Sequence, residues 1–365
     1  MKYTVADTME VVRDAVPTGL VDAEAWRAVR TLGGHLPAAL PQAFYLECRL
    51  RAEPAPVDWI VRVEEAGREI LAGRNPRIRL PEPLASSPVW ARIARFCAAW
   101  TDEPGLRRAV ANLWLEFDLA PGGPAVPEPS VFVSTDERVV RSFTAGEWEG
   151  FVGRLMALLG PGSADTRRTL QRAIAERPAG ARIPYLGFML GRAVQPVRLY
   201  LAGVGAGALP SVLGRAGWRG AAHELEELLA RVAAAGEAPE VGMAHLDLDG
   251  EVLPRVGVEY TLRRPEQLRG TVVETGFLDH LVALGLCAPQ RRAGLTQWSG
   301  HTVATLRHEL WQSVMLRRLN CIKLVHEPGR VPEAKGYLLA EWRQAVRRKT
   351  GMAQPSMTHA SPHAT

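Results

Sequence analysis

Apolar and polar residues alternate with period two in ten short runs, and the runs come in pairs. AFYLECRLR (43–51) is followed by VDWIVRVEE (57–65), and LWLEFDL (113–119) by SVFVS (130–134). YLGFMLGR (185–192) precedes PVRLYLAG (196–203), AHLDLDG (244–250) precedes PRVGVEYTL (254–262), and CIKLVHE (321–327) precedes EAKGYLL (333–339). Turn-forming stretches separate the members: Pro54 and Pro56 in the first pair, APGGPAVPEP in the second, PGRVP in the fifth. Alternating runs bounded by such turns predict five β-hairpins, hence about ten strands.

Between the hairpins the period lengthens to that of a helix. Leu225, Leu228, Leu229 and Val232 fall at i, i+3, i+4 and i+7 in HELEELLARVAAAG, which stops at Gly236. WARIARFCAAW, EWEGFVGRLMALLG, GFLDHLVALGL and HTVATLRHELWQSVMLRRL carry similar stripes and are expected to be helical.

Each strand has one apolar and one polar face. Leu113, Leu115, Phe117 and Leu119 oppose Trp114, Glu116 and Asp118; Ala244, Leu246 and Leu248 oppose His245, Asp247 and Asp249. Val197, Leu199 and Leu201 oppose Arg198 and Tyr200, and Ile322 and Leu324 oppose Lys323. Lys335 and Tyr337 share a face, as do Tyr45, Glu47, Arg49 and Arg51. An open sheet would leave these polar faces in water. Ten strands, however, rarely stay open without curling. With the helices on the apolar faces, closure turns the polar faces inward around a space wide enough for a ligand. The expected fold is therefore α+β: a closed ten-stranded antiparallel β-barrel with helices outside and a polar lumen.

Composition narrows the picture. The 365 residues include 44 Lys+Arg and 39 Asp+Glu, a net charge of +5, with 47% hydrophobic residues, as in a globular protein. The basic residues are spread along the chain, so no nucleic-acid partner is expected. Four isolated cysteines (Cys48, Cys97, Cys287, Cys321) suggest neither a disulfide framework nor a zinc site, and fit a reducing cytoplasm. The N-terminal residues lack an apolar core run, and no stretch of about 18 apolar residues occurs, so no membrane partner is expected. Residues 1–345 are read as one domain and 346–365 as a flexible tail.

The strand pairs resemble those of the ABBA-type (PT-barrel) aromatic prenyltransferases, including the dimethylallyltryptophan-synthase-like and peptide enzymes. HLDLDGEVLPRVGVEY resembles the family's G-x-D…S-R-x-K-x-Y hairpin, VRLYLAG its K-x-Y-F strand, and IKLVHEPGRVPEAKGYL its last hairpin. The resemblance spans about residues 35–345. It implies a barrel of five αββα repeats that moves a prenyl group from an allylic diphosphate to an aromatic or heteroatom nucleophile on a small molecule or peptide. By that resemblance Arg49, Arg51, Arg198, Arg255, Lys323 and Lys335 grip the diphosphate, and Tyr200 and Tyr337 shield the allylic cation. Glu116 accepts the proton, and Trp114, Asp118, His245 and Asp247 line the acceptor pocket. For Glu116 the alternative is an internal ion pair with an arginine.

The chain also departs from the family pattern. Where R-x-K-x-Y is expected it has Arg255-x-Gly257-x-Glu259, with Tyr260 out of phase. Glu47, Asp118, Asp247 and Asp249 add more negative charge than a diphosphate clamp requires. No cofactor is obligatory by this reading, although Mg²⁺ bridging carboxylates to the diphosphate is possible. The alternative function is a non-catalytic barrel that binds a peptide or metabolite.

Other constellations carry less. His245, Asp247 and Asp249 on one strand span about 13 Å, too far for one ion to use both ends. Gly203, Gly205 and Gly207 lack the lysine and context of a nucleotide loop and read as a turn. His301 and His308 lie on one face of the expected helix without a zinc-binding H-E-x-x-H pattern.

Overall fold

The computed structural model describes residues 3–51, 56–234, 238–262, 275–306 and 311–344. Its strands are β1 (Pro41–Arg49), β2 (Val57–Val63), β3 (Val110–Phe117), β4 (Ser130–Thr135), β5 (Tyr185–Phe188), β6 (Val197–Ala202), β7 (Val241–Asp249), β8 (Glu251–Thr261), β9 (Gly300–Thr305), β10 (Gln312–His326) and β11 (Glu333–Gln344). β1 to β8 pair in sequence order, β8 pairs with β10, β10 with β11, and β11 returns to β1. All these pairings are antiparallel, so ten strands close a barrel. The five hairpin turns lie at one end; the connections at the other end run through helices.

Closure sorts the side chains as the alternation predicts. One apolar cluster joins the outward faces, including Leu46, Trp59, Leu115, Phe117, Leu199, Leu246 and Leu338, to the surrounding helices. A second, smaller cluster lies inside and contains Ile60, Trp114, Phe132, Met189, Tyr200, Cys321 and Tyr337. The helices form where the stripes predict. Pro88–Asp102 starts at Ser87, whose hydroxyl accepts from the Val89 and Trp90 amides. Ala145–Leu159 begins with a Thr144/Glu147 capping box, and Ala222–Ala233 buries Leu225, Leu228, Leu229 and Val232.

HTVATLRHELWQSVMLRRL departs from its helical expectation. Its first part is β9, and from Gln312 onward it is the start of β10, which runs nine residues ahead of the predicted strand at 321. β-Branched Thr302, Val303 and Thr305 favour the extended form, and β9 adds to β10 as an eleventh strand from Gly300↔Arg317 to Thr305↔Gln312. His301 therefore stands exposed on a strand, and His308 lies outside the described residues, as does the expected tail 346–365. Gly203 ends its strand at a φ of +80°, confirming the turn. The four cysteines are free and buried. No helix among the described residues is long and apolar enough to cross a membrane.

Candidate active site

The inward side chains form two zones. Toward the hairpin end lies a charged zone in which cations and carboxylates alternate. Arg198 on β6 faces Asp247 on β7 across a strand pair, and its Nε and second guanidinium nitrogen donate to the two carboxylate oxygens at 2.6 and 2.9 Å. Lys335 Nζ on β11 donates to Glu47 Oε1 on β1 at 2.5 Å. Tyr337 donates its hydroxyl to the other Glu47 oxygen and accepts from Lys323 Nζ at 2.7 Å. Arg49 reaches Asp58 and Glu333, each at 3.2 Å.

Burial and these partners set the protonation states. Burial disfavours charge on Glu47, but Lys335 and Lys323 outweigh it and hold the carboxyl far below its usual range. Asp58 lacks such a surplus: burial and the nearby Glu47 charge push it up to about 7. Burial, with the charge of Glu47, also raises Glu116.

Beyond the charged zone, toward the helix end, the interior opens into a cavity whose empty space, about 540 Å³ with the part open to solvent included, leads outward. Aromatic rings of Tyr45, Trp114, Phe132, Tyr185, Tyr200 and Tyr337 line it, with Ile60, Met243 and Cys321. Its carboxylates are Glu116 and Glu259. Trp114 lies tilted against Tyr45, with ring centroids 5.1 Å apart, and its indole N–H has no hydrogen-bond partner among the described residues. Cations, tyrosine hydroxyls and an aromatic chamber thus follow one another along the barrel axis. Such a sequence can hold an anion at one end and an apolar or aromatic group at the other.

The structure brings Arg198, Lys323, Lys335, Tyr200, Tyr337, Trp114 and Glu116 into the buried interior. Arg49 and Arg255 stand nearer the hairpin rim, Arg255 half-exposed and 3.9 Å from Glu333. Four expected residues stand elsewhere than the alternation and the resemblance placed them. Arg51 lies beyond the end of β1 and is exposed, because the strand stops at Arg49. Asp118 lies past the end of β3 at the exposed rim, held by Arg192 at 2.8 Å. His245 and Asp247 are buried inside but do not line the aromatic cavity: Asp247 is taken by Arg198, and His245 packs against Tyr200, with ring centroids 5.2 Å apart.

His245 also explains the residue missing from the R-x-K-x-Y pattern. It lies opposite Gly257 across the β7–β8 pair, and a Cβ on Gly257 would lie 2.0 Å from the imidazole Cε1. The ring fills the space that a side chain at Gly257 needs. Burial and the nearby Arg198 push the imidazole well below its ordinary pKa, so it is neutral, and its Nδ1 has no partner among the described residues.

Sequence reasoning missed Arg192, in the β5–β6 turn, which donates to Glu116 at 2.9 Å and to Asp118. The run 185–192 reads as strand throughout, but β5 stops at Phe188, so Arg192 falls in the turn, where period two no longer gives a direction. Sequence reasoning also overlooked Phe132 and Tyr185 as lining residues; both stand on the inward faces of predicted strands, so the alternation would have found them. Among the described residues no group of three or more His, Cys, Asp or Glu side chains is arranged to hold a metal ion. Glu47, Asp58, Glu116 and Asp247 point instead at Arg and Lys.

No protein-family model matches the sequence, and no curated protein does. Solved structures do. AnaPT from Neosartorya fischeri superposes with a TM-score of 0.52 at 12% identity over 91% of this chain and 90% of that one. 5-Dimethylallyltryptophan synthase from Streptomyces coelicolor gives 0.49 at 16% identity, over 93% and 98%. The prenyltransferase PriB with L-tryptophan and dimethylallyl thiolodiphosphate gives 0.48 at 15%, over 92% and 96%. With ten antiparallel strands closed around a charged and aromatic interior, and helices packed outside them, the chain has the barrel fold of the ABBA-type prenyltransferases.

Proposed function

We propose that the protein is a prenyltransferase, moving a prenyl group from an allylic diphosphate to an aromatic or heteroatom nucleophile on a small molecule or peptide inside the barrel. The observation that carries this reading is the axial order of groups: Arg198, Lys323 and Lys335, then Tyr200 and Tyr337, then the aromatic cavity with Glu116 on its wall. In this reading the cations take the diphosphate, exchanging their carboxylate partners for phosphate oxygens. The C1–O bond breaks, diphosphate leaves with the electron pair, and the tyrosine and Trp114 faces stabilise the allylic cation while excluding water. The acceptor atom bonds to the allylic carbon, and its proton passes to Glu116. Burial raises the pKa of Glu116 and so makes it a stronger base.

The second reading is a barrel that binds a peptide or metabolite without catalysis. It is favoured by the pairing of Arg198 and Lys335 with carboxylates and by the imidazole over Gly257. Calorimetric titration with dimethylallyl and geranyl thiolodiphosphates, with and without Mg²⁺, separates the two. Micromolar binding that is lost in Arg198→Ala and Lys335→Ala supports transfer; no binding at millimolar donor leaves the second reading. A dependence on Mg²⁺ would mean that the metal arrives with the diphosphate.

A further inference from the structure

Glu259 differs from the other interior acids. Glu47 has Lys335, Asp247 has Arg198, and Glu116 has Arg192. Glu259 is 7% exposed and makes no ion pair among the described residues; its hydrogen-bonding contact is the Cys321 thiol, 3.8 Å away. Its cross-strand neighbour Lys323 acts on it electrostatically but gives its hydrogen bond to Tyr337, beside Glu47, and forms no ion pair with Glu259. The carboxyl faces the aromatic cavity, among the rings of Tyr45, Trp114, Tyr185, Tyr200 and Tyr337.

A buried carboxylate without a counter-ion is costly, and its removal from water is repaid only when a cation arrives. Aromatic faces around an acid add to the attraction, because their quadrupoles favour a cation at the same place. We propose that the acceptor carries an ammonium or guanidinium group, which Glu259 holds at the aromatic end of the cavity. This inference rests on the transferase reading and names its acceptor class. The cationic group is a handle: a protonated amine has no lone pair to give, so a different atom of the acceptor is prenylated and loses its proton to Glu116. Burial raises the pKa of Glu259, and a bound cation would restore its charge.

The test compares two indoles of equal shape, tryptamine, which is cationic, and indole-3-ethanol, which is neutral, titrated into the full chain at mildly alkaline pH. Dimethylallyl thiolodiphosphate is titrated separately. The wild type is expected to prefer tryptamine by about tenfold or more, the range of a hydrogen bond to a charged group. Glu259→Gln is expected to bring the two indoles within about threefold by removing the charge on the acid. Equal affinities in the wild type, or binding of neither indole, overturn the proposal without needing a variant. A preference that survives Glu259→Gln overturns the assignment to Glu259. Failure of the thiolodiphosphate alone to bind counts against the transferase reading and is scored apart from the indole comparison.

Discussion

Glu116 occupies the boundary between the charged zone and the aromatic cavity, with one oxygen on Arg192 and its pKa raised by burial. Removing its basicity while keeping its shape is the sharpest test of the proton-accepting role. Glu116→Gln is expected to lower turnover by about 10²- to 10⁴-fold, the usual value of a positioned base, while binding of the thiolodiphosphate persists in calorimetry. Full turnover in that variant would remove Glu116 from the reaction. Gly257 offers a second test at this scale. Restoring a lysine there cannot by itself rebuild a phosphate grip, because the imidazole of His245 stands where the new Cβ must go. Gly257→Lys alone is expected to destabilise the protein without gain in donor affinity; combined with His245→Ala it should fold and bind the donor more tightly. A gain in the single variant would contradict the steric account. Asp58 sets a pH dependence. Its pKa is about 7 in the folded protein against an ordinary 3.8, so the native state holds that proton more tightly than the unfolded chain does. Stability on this account is full below 3.8 and falls as pH rises through about 7. Melting curves of Asp58→Asn should show a shallower decline over that window than the wild type; parallel curves would reject the assignment.

Elements are stabilised from outside the barrel. Trp59 on β2 is fully buried, stacked on Phe117 of β3 with ring centroids 5.8 Å apart and close to Phe44 of β1. Trp59→Ala is expected to cost about 3–5 kcal/mol, read as a lower denaturation midpoint in urea. Period-two alternation placed Leu115 and Phe117 outward and Arg198, Lys323, Lys335 and Glu116 inward because the pleat leaves no other choice once a strand is recognised. Its failures mark where that rule stops applying. Arg51 and Asp118 sit just past strand ends, where the pleat no longer directs the side chain. Arg192 belongs to a turn, and its direction depends on the partner acids that tertiary structure brings within reach. The stretch containing β9 carries enough Leu, Val and Met to imitate a helical stripe, and only its pairing with β10 decides the matter.

The whole molecule explains why the interior charges can differ from the family pattern without loss of the fold. The outer cluster, not the lumen, joins strands to helices, so residues such as Gly257 and Glu259 are free to vary as long as the inner volume stays filled or solvated. The resemblance, carried mainly by the order of strand pairs and helices with short motifs in support, therefore identified the architecture, whereas the presence of His245 over Gly257 and the lack of an ion pair at Glu259 among the described residues depend on registers across β7, β8 and β10.

Ring closure also has a consequence in time. β1 finds one of its two neighbours in β2, almost at once along the chain, but the other in β11, close to the end. During synthesis the early strands must wait, with one edge of β1 unpaired, until the last hairpin leaves the ribosome. An open edge of that kind can recruit another chain, and contacts between distant segments slow folding. Pulse-labelled hydrogen exchange during refolding should therefore show the amides of Phe44, Leu46 and Cys48 gaining full protection together with those of Leu338 and Ala340. Early protection of β1 alone would mean that something else guards its edge while the nascent barrel is still open.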